Sequence, residues 1–128
     1  MHPTILVCDN EEVLRDLVRA SLDGNGCTLV EACDGDEALA VARSVRPDLI
    51  LLDMMMPGRT GIEVLEELRR DPKLRTTPVI MLTARAQAAD REAAERAGAD
   101  VFLPKPFSPL ELVHVVEEVL RDGDRHAR

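Results

Sequence analysis

The fold is decided by the stretch Leu49-Ile50-Leu51-Leu52-Asp53-Met54-Met55-Met56-Pro57-Gly58. Four aliphatic residues are followed at once by an acid, and three methionines later by a Pro-Gly pair that breaks regular structure. A short apolar run that ends in this way is typical of a buried strand. The stretch therefore predicts a strand that presents the carboxylate of Asp53 at the rim of a sheet.

Three other short apolar runs also end in residues that carry chemistry. Residues 5–8 lead into Asp9-Asn10, residues 79–82 into Thr83-Ala84, and residues 101–103 into Pro104-Lys105-Pro106. In open parallel α/β sheets, ligands bind outside the carboxyl ends of the strands. The sequence thus predicts that two acids, an amide, a hydroxyl and an ammonium converge there. Such a set suits a metal ion and a phosphoryl group.

Strand and helix signals alternate five times along the chain. We expect strands over residues 4–9, 27–32, 48–53, 78–83 and 100–103, and helices over residues 11–23, 36–45, 60–70, 86–97 and 109–121. Capping boxes at Thr60-Gly61-Ile62-Glu63 and Ser108-Pro109-Leu110-Glu111 mark the third and fifth helices. In the first helix, Val13, Leu14, Leu17, Val18 and Leu22 recur at helical spacing. The alternation predicts an α/β fold with a parallel sheet covered on both faces.

Strand composition also predicts strand position. The second strand mixes apolar with polar residues, which fits an edge of the sheet. The first, third and fourth strands are almost entirely aliphatic, which places them at its centre.

Composition limits the classes of protein that the chain can be. It has 128 residues, 45% of them hydrophobic and 31% charged, which suits one ordered core. A net charge of −8 and the absence of Trp and Tyr argue against direct nucleic-acid binding. No apolar stretch approaches the roughly 20 residues of a membrane span, and the N-terminus lacks a signal-peptide pattern. We therefore expect a cytoplasmic domain over residues 1–122 and a polar tail over residues 123–128.

Three cysteines, Cys8, Cys27 and Cys33, stand singly in or beside apolar segments. Without a Cys-x-x-Cys pair, we expect them to be reduced, packed thiols.

Taken in order, these motifs resemble the receiver domain of two-component response regulators, in the CheY-like superfamily. The resemblance covers essentially the whole chain. It rests on Val7-Cys8-Asp9-Asn10-Glu11-Glu12, on Asp53 with Met56-Pro57-Gly58, on Thr83-Ala84, on Gly98-Ala99-Asp100 with Phe102, and on Lys105-Pro106-Phe107. It implies a flavodoxin-like, doubly wound sheet of five parallel strands in the order 2-1-3-4-5, with five helices.

The resemblance also implies a role for each residue at the strand ends. Asp53 would accept a phosphoryl group from a histidine kinase, with Lys105 as a cationic partner and Thr83 as a hydroxyl donor. The reaction would need Mg²⁺, for which Mn²⁺ can substitute, because a divalent cation relieves the repulsion between the carboxylate and the phosphoryl group. The implied metal ligands are Asp53, the side chain of Asp9 or Asn10, and the main-chain carbonyl of Met55.

The resemblance further implies how the signal leaves the site. Thr83 and Phe102 would form a switch, acting on a downstream protein through the fourth helix, the fifth strand and the fifth helix. The phosphoryl donor would be a sensor histidine kinase or a phosphotransfer protein, and the domain a monomer or a phosphorylation-dependent dimer. Such a domain catalyses its own phosphorylation and dephosphorylation and is not a turnover enzyme. The family also suggests a cis peptide between Lys105 and Pro106.

The sequence departs from the family pattern at one position. Receivers usually have two adjacent acids after the first strand, whereas here they are Asp9 and Asn10. The loss of one formal charge predicts weak Mg²⁺ binding, with Glu11 or Glu12 as candidates to assist through a bound water. It also leaves open a degenerate receiver that acts as a phosphorylation-independent interaction module.

Two other classes fit the residues poorly. A haloacid-dehalogenase-type phosphatase needs a second acid two residues after the nucleophile, where this chain has Met55. A flavodoxin-type electron carrier needs a phosphate-binding loop after the first strand, where the acids of this chain would repel a phosphate.

Overall fold

Five parallel strands form one sheet in the computed structural model of the chain, which describes residues 2–84 and 87–126. The strands are β1 (Thr4–Cys8), β2 (Thr28–Ala32), β3 (Leu49–Asp53), β4 (Val79–Thr83) and β5 (Val101–Pro104). They lie in the order β2-β1-β3-β4-β5, and every neighbouring pair is parallel. The predicted flavodoxin-like topology is confirmed.

The helices are α1 (Glu12–Leu22), α2 (Gly35–Val45), α3 (Gly61–Arg70), α4 (Ala88–Ala97) and α5 (Pro109–His126). Both predicted capping boxes are present. Thr60 Oγ1 accepts from the Glu63 N–H at 3.2 Å while Glu63 accepts from the Thr60 N–H at 2.9 Å. The same reciprocal bonds join Ser108 and Glu111, both at 3.1 Å. None of the helices in the described part of the chain is long and apolar enough to cross a bilayer.

Helix α5 extends past its predicted end at Arg121 to His126. Residues 123–126, which we expected in a polar tail, therefore have helical backbone, while residues 127–128 lie outside the described part of the chain. The polar composition and Gly123 predicted an earlier end. Adding a residue to an existing helix gains a hydrogen bond without a new nucleation step, and one glycine costs only about 1 kcal/mol.

The strands divide the core into two clusters. On one face, residues such as Leu6, Ile50 and Met81 pack under α2, α3 and α4. On the other, residues such as Val7, Leu51 and Ile80 pack under α1 and α5. Full burial of each such side chain is worth about 1.5–3 kcal/mol. Strands β1, β3 and β4 are central and β2 is an edge strand, as their composition predicted.

Two residues of the apolar segments are exposed, and for Cys33 this contradicts the expectation of a packed thiol. Val13 is 80% exposed, because Leu14, Val18 and Leu22 set the buried side of α1 and Val13 lies about 100° around the helix from Leu14. Cys33 is exposed as well, because it follows the edge strand β2, while Cys8 is buried and Cys27 is half-buried. All three thiols are free.

Arg69, at the end of α3, forms hydrogen bonds that stabilise the amino-terminal edge of the sheet. The guanidinium donates to three main-chain carbonyls, those of Leu74 (3.3 Å), Thr77 (2.7 Å) and Gly98 (2.7 and 3.1 Å). It also pairs at 3.1 Å with Asp100, which accepts the Val79 N–H at 2.8 Å. One side chain therefore fixes the segments that enter β4 and β5.

We predict that Arg69→Met lowers the free energy of unfolding by about 2–3 kcal/mol, because it leaves partly buried carbonyls and Asp100 without their charged partner. Urea unfolding followed by circular dichroism measures the change. Arg70→Met is the matched control, since Arg70 is the exposed neighbour on the same helix. Equal losses in the two variants would contradict the assigned role of Arg69.

Candidate functional site

Two buried carboxylates meet one ammonium at the carboxyl edge of the sheet. Asp9 follows β1 and is fully buried, while Asp53 ends β3 and is 3% exposed. Lys105 follows β5, and its Nζ lies 2.8 Å from Asp9 Oδ2 and 3.5 Å from Asp53 Oδ1. The structure thus brings together three of the residues that the strand ends predicted.

Main-chain hydrogen bonds hold these strand ends in register. The Asp9 N–H donates to the Ala32 carbonyl at 3.0 Å, and the Lys105 N–H donates to the Thr83 carbonyl at 2.6 Å. Pairing therefore continues past the end of the regular strands. The functional side chains start from backbone that the sheet itself fixes.

Gly61 closes the loop that follows Asp53. Its N–H donates to the Met54 carbonyl at 2.9 Å, which folds residues 54–60 back onto the strand. A Cβ atom at this position would lie 2.7 Å from the Met54 Cα and closer still to the Asp53 carbonyl oxygen. Only glycine fits here, so the first turn of α3 rests directly on the peptide of Asp53.

The environment of Asp53 disfavours its charge. Burial, and then the neighbouring charge of Asp9, raise the pKa of Asp53 from its usual value near 3.8 to about 6, against the opposing influence of Lys105 and the Met55 N–H. Burial alone would lower the pKa of Lys105, but its hydrogen bond to Asp9 and the charge of Asp53 outweigh burial and raise it. Lys105 therefore stays protonated, and the carboxylates of Asp9 and Asp53 share its one positive charge.

The other predicted residues differ in how deeply they are buried. Asn10 is exposed, and Met55 is 54% exposed with its N–H 3.3 Å from Asp53 Oδ1. Thr83 is fully buried at the end of β4. Phe102 is half-buried two residues before the end of β5, with the Arg91 guanidinium carbon 5.2 Å from its ring centroid. The Lys105–Pro106 peptide is cis, as the family resemblance suggested.

Sequence reasoning did not single out Arg15, which supports the cluster from α1. Its Nη1 donates to the Asp9 carbonyl at 2.6 Å, and its Nε donates to Glu31 at 3.0 Å. The sequence feature that could have indicated Arg15 is Glu31, an acid within the otherwise apolar end of β2 that requires a basic partner. Arg15 and Glu31 together fix the main chain of Asp9.

The donors at this edge suit a hard divalent cation. The buried carboxylates of Asp9 and Asp53 offer oxygen ligands, which Mg²⁺ prefers. Two carboxylates against one ammonium also leave the cluster with excess negative charge, and the charge of Asp9 is the second cause, after burial, of the raised pKa of Asp53. The residues therefore fit the metal that the family resemblance implied.

A second group with metal-ligand chemistry consists of Cys33, Asp34 and Glu37, whose ligand atoms lie within 4.8 Å of one another. Asp34 accepts the Glu37 N–H at 2.8 Å, and Glu37 accepts the Cys33 N–H at 2.9 Å. These bonds form the N-terminal cap of α2, which accounts for the grouping.

Comparisons with known proteins agree with this geometry. A sequence model of the response regulator receiver domain matches residues 5–117. The phosphate regulon transcriptional regulatory protein PhoB of Escherichia coli is 44% identical over 121 residues, 94% of this chain and 53% of that protein. The transcriptional regulatory protein ResD of Bacillus subtilis is 45% identical over 117 residues, 91% of this chain and 48% of that protein.

Solved structures show the same likeness. The chemotaxis response regulator CheY4 of Vibrio cholerae has a TM-score of 0.89 at 32% identity and covers 93% of this chain and 99% of its own. The chain spans about half the length of the curated relatives named above.

We predict that Asp53→Asn stabilises the fold at neutral pH. Between about pH 4 and pH 6 the folded chain keeps a proton on Asp53 that the unfolded chain loses, so wild-type stability falls as the pH rises through this window. By pH 7 the difference between the variant and the wild type should reach about 2–3 kcal/mol, and it should vanish below about pH 4.

Urea unfolding without divalent cations across this pH range measures the difference. Glu66→Gln, an exposed acid on α3, serves as the control. A difference that is constant with pH would show that the pKa of Asp53 is not raised in the folded chain.

Proposed function

The chain belongs to the receiver domains of two-component response regulators, and on this premise we propose that Asp53 accepts a phosphoryl group from a phosphohistidine in a Mg²⁺-dependent reaction. The observation that supports this most is the buried pair of carboxylates with the Lys105 ammonium between them, 2.8 Å from Asp9 and 3.5 Å from Asp53. Receiver domains are signalling proteins. In this proposal, Asp53 is the one residue of the domain that accepts the phosphoryl group.

In the proposed reaction, a carboxylate oxygen of Asp53 attacks phosphorus. The new O–P bond forms as the N–P bond of the donor histidine breaks, and the product is an acyl phosphate. With a pKa of about 6, Asp53 is mostly ionised at neutral pH and has the lone pair that the attack requires. Lys105 lies close enough to offset the charge that collects on the phosphoryl oxygens.

Asp9 and Asp53 would hold the metal ion, with the Asn10 side chain and the Met55 carbonyl as further ligands. When bound, the ion supplies positive charge between the two anions that must approach each other. Arg15 and the Glu11 N–H keep Asp9 in place, since one bonds its carbonyl at 2.6 Å and the other its carboxylate at 2.8 Å.

We propose further that Thr83 and Phe102 read the phosphorylated state. The added group brings acceptor oxygens next to the end of β4, where the Thr83 hydroxyl can donate to them. Phe102 has no hydroxyl, so any response of this ring must come through packing. The signal would leave through the face formed by α4, β5 and α5, toward a partner or an output domain.

The relatives suggest the kind of output. PhoB and ResD are named as transcriptional regulatory proteins, and this chain matches about half of each. We propose that the domain controls such an output in response to a sensor histidine kinase or a phosphotransfer protein.

The exposed Asn10, where receivers usually have an acid, favours a second candidate function, a phosphorylation-independent interaction module.

The test is intact mass after incubation with acetyl phosphate and Mg²⁺. We expect one added phosphoryl group in the wild type and in Glu66→Gln, and none in Asp53→Asn or with a chelator. An adduct on Asp53→Asn would place the acceptor elsewhere. No adduct on the wild type at raised Mg²⁺ would reject self-catalysed phosphorylation and favour the interaction module.

We also predict that Arg91→Ala shifts the Phe102 ring toward a second position. The contact of the Arg91 guanidinium with the ring is worth about 0.5–1 kcal/mol, so its loss should change the ratio of ring positions roughly two- to fivefold.

The chain has only two phenylalanines, so fluorine NMR on fluorophenylalanine-labelled protein resolves Phe102 directly. Arg96→Ala, an exposed arginine on the same helix, is the control. An unchanged Phe102 signal in Arg91→Ala would show that this contact does not hold the ring.

A further inference from the structure

The loop between β1 and α1 places its charge differently from the usual pair of adjacent acids. Asn10 is uncharged and exposed. The next residue, Glu11, has its carboxylate 3.6 Å from Lys105 Nζ, the same ammonium that lies beside Asp9 and Asp53. Three carboxylates therefore surround one cation, and the third comes from residue 11 rather than residue 10.

The position of Glu11 in the chain explains how its side chain reaches the site. It is the N-cap residue of α1 and has extended backbone, with φ −91° and ψ 115°. Its N–H donates to Asp9 Oδ1 at 2.8 Å, which fixes its backbone against the buried acid.

Capping does not account for the Glu11 side chain. N-cap side chains usually accept a hydrogen bond from the first turn, but within the described residues Glu11 forms no such bond. The carboxylate lies instead over the cluster, and it is 65% exposed, so it keeps contact with water.

We propose that Glu11 supplies the divalent-cation site with the negative charge that Asn10 lacks. Asp9, Asp53 and Lys105 together carry one net negative charge, and Glu11 brings the total to two, which balances a divalent cation. This inference rests on the proposed Mg²⁺-dependent function and assigns part of its site. Glu12 also follows Asn10, but it is already the first residue of α1, and no contact joins it to Lys105 among the described residues.

An opposite role for Glu11 is also testable. If its carboxylate served only to hold Lys105 near Asp9, its removal would loosen the lysine that competes with a metal ion for the acids. Metal affinity would then rise in a Glu11 variant. Charge supply predicts the reverse, so the sign of the change separates the two roles.

The experiment is calorimetric titration of the whole chain with Mg²⁺, repeated with Mn²⁺. We expect Glu11→Gln to weaken binding about three- to tenfold, the effect of removing one solvent-exposed charge near a divalent ion. Glu12→Gln should bind like the wild type. Asn10→Asp should strengthen binding, and the double variant Asn10→Asp/Glu11→Gln should return close to the wild type.

Each outcome bears on one of the two proposals. If the wild type binds no divalent cation and forms no adduct with acetyl phosphate, the proposed function fails. If the wild type binds and Glu11→Gln binds equally or more tightly, only the inference fails. Binding that is unchanged in Asp53→Asn would place the cation elsewhere, such as at Cys33, Asp34 and Glu37, and would also overturn the inference. Thermal unfolding of each metal-free variant checks that it is folded.

Discussion

The structure depends on keeping two like charges buried side by side. Asp9 and Asp53 have almost no exposure to water, and a buried charge is costly unless it is paired and hydrogen-bonded. Lys105 provides the opposite charge, and main-chain N–H groups of Glu11 and Met55 donate to the two carboxylates. A buried group of this kind is maintained by the surrounding fold and is a local source of instability, which is common at functional sites.

The sheet supplies the rigidity that this arrangement needs. Asp9 follows β1 and Asp53 ends β3, two central strands that are apolar on both faces and are covered by two separate layers of helices. Gly61 packs against the peptide of Asp53, and Arg15 holds the carbonyl of Asp9. Neither acid can move without disturbing well-packed backbone. The exposed side chain of Glu11 has more conformational freedom. The cluster therefore combines two rigidly held carboxylates with one that can change rotamer.

The helices, the strands and their parallel arrangement could be predicted because that information is local, whereas the strand order 2-1-3-4-5 came from the resemblance to receiver domains. Short aliphatic runs, breakers and capping boxes fix the elements to within a few residues, and parallel topology then brings the strand ends together. Sequence reasoning did not find Arg15 or Arg69, because both donate to main-chain carbonyls, and such acceptors leave no residue pattern. The sequence also did not indicate that Val13 and Cys33 are exposed. Their exposure depends on which side of a helix or strand is covered by neighbouring elements.

The bonds of Arg69 have a consequence for how α4 can move. This arginine holds the Gly98 carbonyl, just after the C-terminal end of α4. At the other end, Gln87 is the N-cap residue and, within the described part of the chain, provides no side-chain capping bond. The C-terminal end of the helix is thus held by a charged side chain of α3, while its N-terminal half contacts β5 through Arg91 and the Phe102 ring. A rearrangement of α4 that keeps the bonds of Arg69 would pivot about Gly98, so that displacement grows along the helix toward Ala88.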